Sequence, residues 1–371
     1  MSRLTRKQFF NRLAAGIGAL LGGWLLGGCG AEDTTAPATP TPGATQAPPS
    51  PTTGLASTAT VGQTTTPAPT EEQPAATATD SQAPSPTQTQ PATATATPSL
   101  GQPDLVVARG GEPEELVRQA VAALGGMERF VRPGYNVIIK PNICVAYHTY
   151  EYAATTNPWV VGALVKLCRE AGAGRVRVMD YPFGGTPEEA YVRSGIQEQV
   201  QAAGAQMEIM SAFKFLPTDI PEGRDLRRCK VYDEVLNADL VIDVPIAKHH
   251  ELAQLTLGMK NLMGVIRDRP AMHVNLGQRL ADLTSLVRPG LTVVDAVRIL
   301  VDNGPTGGNL ADVRRMDTVI ATPDIVAADS YAATLFGKQP SELTYVQAGT
   351  EMGLGRSDLG NLRFEELAVG T

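Results

Sequence analysis

The sequence predicts an α/β domain with a mostly parallel sheet flanked by helices, Rossmann-like in its general plan. Two observations predict it. From Asp104 onward short apolar runs alternate with amphipathic segments of helical period, the pattern of a sheet covered by helices. Large apolar side chains are concentrated in residues 104–371, while the chain before them has a composition that cannot build a core.

Taken in order, the first segment is 1–29. Arg3, Arg6, Lys7 and Arg12 precede the run "LAAGIGALLGGWLLGGCG", a positive region followed by a short, glycine-rich apolar region. That pattern is a secretory signal, and the run is too broken by glycine for a spanning helix of about 20 residues. "LGGC", ending at Cys29, resembles a bacterial lipobox in which Cys29 is acylated and becomes the mature N-terminus. "TRKQFF" resembles a twin-arginine export signal with Lys7 in place of the second arginine, so both the Tat and the Sec route stay open.

Residues 30–103 are almost wholly Thr, Pro, Ala, Ser and Gln. Such a segment cannot offset the entropy of folding and reads as a disordered stalk. The expectation is a lipid-anchored protein at the outer face of the cytoplasmic membrane. A net charge of −7 without a basic, aromatic-laced patch argues against a nucleic-acid partner. Once Cys29 is set aside, Cys144, Cys168 and Cys229 remain without any CxxC pair. No iron–sulfur or structural zinc motif is therefore present in the sequence.

Within 104–371 the expected strands are 104–108, 136–140, 175–180, 239–243, 291–295 and 318–322. Expected helices follow at "EPEELVRQAVAAL", "NPWVVGALVKLCREAG" and "TPEEAYVRSGIQEQVQAAG". The last begins with Thr186 as N-cap, Pro187 at the first helical position and glutamates in the first turn. Gly172 and Gly204 stand where helix C-terminal glycines belong.

Most strands run into residues able to do chemistry. Lys140 and Asn142 follow one, Asp180 another, Lys248, His249 and His250 a third, with Asp295 and Asp324 ending two more. In open α/β sheets ligands bind beyond the carboxyl ends of the strands. Aspartate and asparagine there are often turn residues, but lysine and histidine are not.

The stretch "AKHHELAQLTLGMKNLMGVIR" (247–267) concentrates this chemistry. Read as a helix over 252–266, it places Leu252, Leu255, Met259, Leu262, Met263 and Ile266 on one buried face. Thr256, Lys260 and Arg267 then share a polar stripe: hydroxyl, ammonium and guanidinium, an anion-shaped set. Gly258 and Gly264 permit close approach. Adjacent His249 and His250 cannot face the same way, so at most one of them faces the crevice. The glycine-rich "DNGPTGGN" (302–309) is a weaker anion-nest candidate. No Gly-x-Ser-x-Gly is present to support a serine hydrolase.

These residues resemble the bacterial and archaeal family of domain of unknown function 362. The resemblance rests on "KPN" (140–142), on 155–180, on "VIDVPIAKHHELAQLTLGMKNLMG" (241–264) and on 302–337. It implies family motif positions at Lys140, Asn142, Lys248, His250, Thr256, Lys260, Asn261, Gly264 and His273, with His249 on a variable position. Some relatives carry ferredoxin-like clusters, but this chain lacks those cysteines, so iron–sulfur binding is not carried over. The family name assigns no reaction.

The leading expectation is a crevice for a small anionic metabolite. Lys140, Asn142, Thr256, Asn261 and Arg267 would bind it, while Lys248, Lys260 and His250 would handle protons. Asp243 or Asp295 would orient the histidine. One alternative is a metal-dependent enzyme or metal-binding lipoprotein using His250, His273 and Asp295. The other is a receptor or adaptor that binds a ligand without turnover. The sequence names no cofactor.

Overall fold

The computed structural model describes residues 101–370. The expected export signal, Cys29 and nearly all of the expected stalk lie outside the described residues. The strands in chain order are β1 (Leu105–Arg109), β2 (Asn136–Pro141), β3 (Arg175–Val178), β4 (Gln206–Met207), β5 (Phe215–Asp219) and β6 (Arg228–Tyr232). They continue as β7 (Leu240–Val244), β8 (Ile246–His250), β9 (Gln254–Thr256), β10 (Leu291–Leu300), β11 (Val313–Thr322) and β12 (Phe364–Ala368).

Ten of these form one mixed sheet ordered β12-β1-β11-β10-β7-β2-β3-β4, with β8 joined to β10 and carrying β9; β5 and β6 make a separate hairpin. The run from β10 to β4 is parallel. Its strands read as nearly unbroken apolar runs because both faces are covered, as in "LVIDV" of β7, which is buried throughout. Two apolar cores lie on the two faces of this sheet.

The helices start where the sequence places them. Pro113 opens the helix Pro113–Ala123 with Glu114 and Glu115 in its first turn. Asn157 caps Pro158–Glu170 by accepting from the backbone of Trp159 at 3.0 Å. Thr186 and Glu189 form a reciprocal capping box on Pro187–Arg193.

Three expectations change. The helix expected to run past 186 breaks into Pro187–Arg193 and Ile196–Ala202, because Ser194 bonds back to Tyr191 and Gly195 turns left-handed at φ +76°. β11 runs antiparallel to β10 and β1, so Asp324 emerges at the opposite edge from the other strand ends. There it caps the helix Ile325–Thr334 and accepts from the backbone of Arg356.

Third, 252–266 is not one helix. His250 accepts the backbone N–H groups of Leu252 and Ala253 at Nδ1, turning the chain into the β8–β9 hairpin. Only after it does a helical turn form at Gly258–Asn261, followed by a tighter turn at Leu262–Val265. Leu255, Met259, Leu262 and Ile266 are buried as the period requires, but Leu252 is exposed. Apolar spacing was satisfied without helical backbone.

Asp329 performs a capping role at a distance, accepting from Gly258 N at 2.6 Å and Met259 N at 2.9 Å. Burial pushes its carboxyl up to about 7. In the unfolded chain it titrates near its ordinary value of about 3.9. Between those values the folded state holds the extra proton, so this group lowers stability as pH rises from about 4 to about 7. Asp329→Asn should flatten that decline by up to about 1.4 kcal/mol per pH unit, with the buried Asp295 leaving a residual slope below about 6. Urea midpoints of both proteins across pH 4–8 check this; parallel curves would refute it.

Candidate functional site: a cationic cavity at the strand ends

The parallel registers bring three strand ends side by side. Lys140 pairs with Asp243 across β2 and β7, and Ile139 with Val178 across β2 and β3. Beyond them lies a cavity of about 640 Å³.

Its floor is a continuous buried network. Lys140 Nζ donates to Asp180 Oδ1 at 2.9 Å, Asn261 Oδ1 at 2.9 Å and Pro141 O at 2.8 Å. An ammonium has three donors, so Lys140 has none left for a ligand, and it does not line the cavity. Asn261 is equally committed. Its oxygen accepts from Lys140 and Asn142, and its nitrogen donates to Lys140 O and Asp243 Oδ1. Asn142 Oδ1 accepts from Lys248 at 3.0 Å, and Lys248 also reaches Ala154 O, Pro305 O and Cys144 Sγ. The residues expected to bind a ligand at Lys140 and Asn261 therefore hold the wall instead.

Pairing of Lys248 opposite Thr256 across β8 and β9 puts both side chains on one face, and the period of two adds His250. All three line the cavity. His249 faces away and accepts from Gly304 N at 3.1 Å, tying the 302–309 loop to β8. That loop contributes Pro305 to the wall through its carbonyl.

His250 is a neutral imidazole. Burial, then Lys260 and Lys248, push it down to about 3. With Nδ1 accepting two backbone N–H groups, its proton is on Nε2, making it a hydrogen-bond donor toward the cavity. Its folded value lies below the ordinary 6.5, so its stability contribution is present above about 6.5 and lost as pH falls toward 3. Histidine NMR should show His250 retaining the Nε2–H form through pH 5; protonation near 6.5 would contradict it.

Lys260, half-buried on the turn Gly258–Asn261, has no hydrogen bond or ion pair among the described residues. Burial, then Lys248, push its ammonium down to about 8. Thr256 Oγ1 is buried without a partner, in a residue only 3% exposed. Arg267 and His273 stand exposed at the rim.

Sequence reasoning missed several lining residues, Arg269 and Cys144 the most polar among them. Arg269 lies 4.8 Å over the Tyr181 ring and donates to Met263 O and Tyr181 O. Cys144 lies under Lys248 at 3.2 Å. No periodic signal marks Arg269, and Cys144 could be read only as a spare thiol. Tyr181, Pro182 and Phe183 add an apolar side.

The metal set expected from His250, His273 and Asp295 is not assembled. Asp295 accepts from Asn157 N at 2.7 Å and Val297 N at 3.0 Å and does not line the cavity. Among the described residues no group of three or more His, Cys, Asp or Glu is placed to hold a metal ion.

Sheet and cavity together define an α/β protein with a cation-rich pocket at the carboxyl ends of its parallel strands. The chain belongs to the family described as domain of unknown function (DUF362), whose model matches residues 137–334. It is 28% identical over 247 residues to the thylakoid-associated protein sll1697 of Synechocystis sp., spanning 64% of this chain and 74% of that protein. Among solved structures it is similar to the lactate racemase apoprotein of Thermoanaerobacterium thermosaccharolyticum, at 11% identity and a TM-score of 0.37, covering 57% of this chain and 53% of that one. A protein from Thermotoga maritima gives 11% identity and a TM-score of 0.33, over 62% and 60% of the two chains.

Proposed function

We propose that this protein binds a small anionic metabolite in the strand-end cavity. The observation that carries the reading is unbalanced charge. Lys248, Lys260, Arg267 and Arg269 line the cavity, and Asp180, the one carboxylate lining it among the described residues, is already paired with Lys140. Buried cations without counter-charge are costly, and a bound anion would supply that charge. Lys260, Thr256 and the Nε2–H of His250 supply donors that no described residue uses, and Arg267 closes the rim. Lys140 and Asn261 act through the network, holding Asn142 and Lys248 in place.

Calorimetry with sulfate, phosphate, oxalate and citrate tests the reading. Binding should weaken with ionic strength, and Lys260→Ala should lower affinity by about 10- to 100-fold, the worth of one charge-assisted bond. Equal affinity in the variant, or no binding by any of these anions, would overturn it.

The reading extends to location: an exported protein anchored through lipid on Cys29, with 30–103 as its stalk. In a bacterial host, labelled fatty acid should enter the wild-type chain and be absent from Cys29→Ala; labelling of both alike would refute the assignment.

A further inference from the structure

Two lysines line the pocket and a third, Lys140, lies beneath its floor, in very different states. Lys140 meets three acceptors and Lys248 four. Lys260 meets none, although it faces the same cavity. Its nitrogen is the uncommitted one.

We propose that Lys260 is a nucleophilic amine that forms an imine with a small anion bearing a carbonyl group, of the 2-oxo carboxylate class. The proposal rests on the anion-binding reading and deepens it. A lysine becomes nucleophilic when it is desolvated or placed beside other cations, because both favour the neutral amine. The groups whose charge acts on Lys260 are Lys248 from β8, Arg269 from the turn after Arg267 and Lys140 behind the cavity floor, with Cys144 opposing them. His250, His273, Arg267 and Tyr181 complete the titratable lining, with Asp180 neutralised by Lys140. The amine titrates near 8, so a usable fraction is neutral at physiological pH.

The remaining groups suit the same substrate. Arg267 and Arg269 offer guanidinium groups for a carboxylate. His250 Nε2–H and the unpartnered Thr256 hydroxyl can donate to a carbonyl oxygen. In the step, the Lys260 nitrogen pair attacks the carbonyl carbon and the C=O π pair moves to oxygen, which takes up a proton. The nitrogen loses a proton to water, giving a carbinolamine. The hydroxyl then takes a proton from water, the C–O bond breaks and oxygen leaves as water, while the nitrogen pair forms the C=N bond and the nitrogen's remaining proton returns to water. Amine and carbonyl give imine and water, with no change of oxidation state.

Reductive trapping tests this with glyoxylate and cyanoborohydride, read by peptide mass spectrometry. Lys260 should become carboxymethylated at least about tenfold faster than exposed Lys230, with a rate rising through about pH 8. Oxalate, which fills an anion site but cannot form the imine, should suppress trapping at Lys260 only. Lys260→Arg should abolish the site-selective product while trapping at exposed Lys230 continues at its wild-type rate. Should that variant fail to fold, the oxalate competition on the wild-type chain still decides. Trapping at Lys260 no faster than at Lys230, beside intact oxalate binding, refutes the amine and leaves the anion reading standing. Absence of binding by oxalate and by sulfate, phosphate and citrate alike refutes both.

Discussion

Lys140→Met is expected to destabilise the protein by about 3–5 kcal/mol, the range for removing one partner of a buried ion pair. Methionine preserves length and volume, so the change isolates charge and hydrogen bonding. Lys140 is wholly buried, and its removal leaves the Asp180 carboxylate with only the backbone N–H of Ile143, at 2.6 Å. Asn261 also loses a donor, and the network that positions Asn142 and Lys248 loosens. Urea unfolding measures the change. Adding Asp180→Asn should restore part of the loss, with a coupling of about 0.5–3 kcal/mol, because the stranded charge is gone. A single variant within about 1 kcal/mol of wild type would show that the floor network does not hold the site.

This residue also shows the limit of sequence reading. A lysine after an apolar strand looks the same whether its ammonium meets a ligand or an aspartate forty residues away. The strands β2, β3 and β7 were legible because strands buried on both faces are unbroken apolar runs. The direction of β11 was not, since an apolar run reads alike in parallel and antiparallel pairing. Segment 252–266 carries a helical period that a hairpin and two short turns satisfy equally, because three-dimensional burial needs only that Leu255, Met259 and Leu262 reach the core. Thr256, Lys260 and Arg267 still arrive at one cavity, by strand pairing and a turn rather than along a helical stripe. Alternation showed that His249 and His250 face opposite ways and the motif resemblance singled out His250, whereas its neutral state follows from burial and neighbouring lysines that only the folded chain brings together.

Gly264→Ala should have an effect of similar size by a different route. In an exposed helical turn, alanine for glycine stabilises by up to about 1 kcal/mol. Here a methyl at Gly264 would overlap Asp180 Oδ1 and lie 2.6 Å from Lys140 Nζ and 2.8 Å from Lys140 Cε. These atoms cannot give way cheaply, because they belong to the buried ion pair and are held by Ile143 N, Asn261 and Pro141 O. Either the pair opens, at about 3–5 kcal/mol, or the turn Leu262–Val265 shifts and takes with it Tyr181, whose N–H donates to Gly264 O at 3.1 Å. The overlap exceeds the propensity gain, so a net loss of about 2–4 kcal/mol is expected from the difference, lowering Tm by roughly 5–15 °C. Because the displaced groups floor the cavity, anion affinity should fall with stability. Calorimetric Tm and oxalate titration on the same preparation measure both. A stable Gly264→Ala protein with unchanged oxalate affinity would show that the Lys140–Asp180 pair stands farther from this turn than the fold places it.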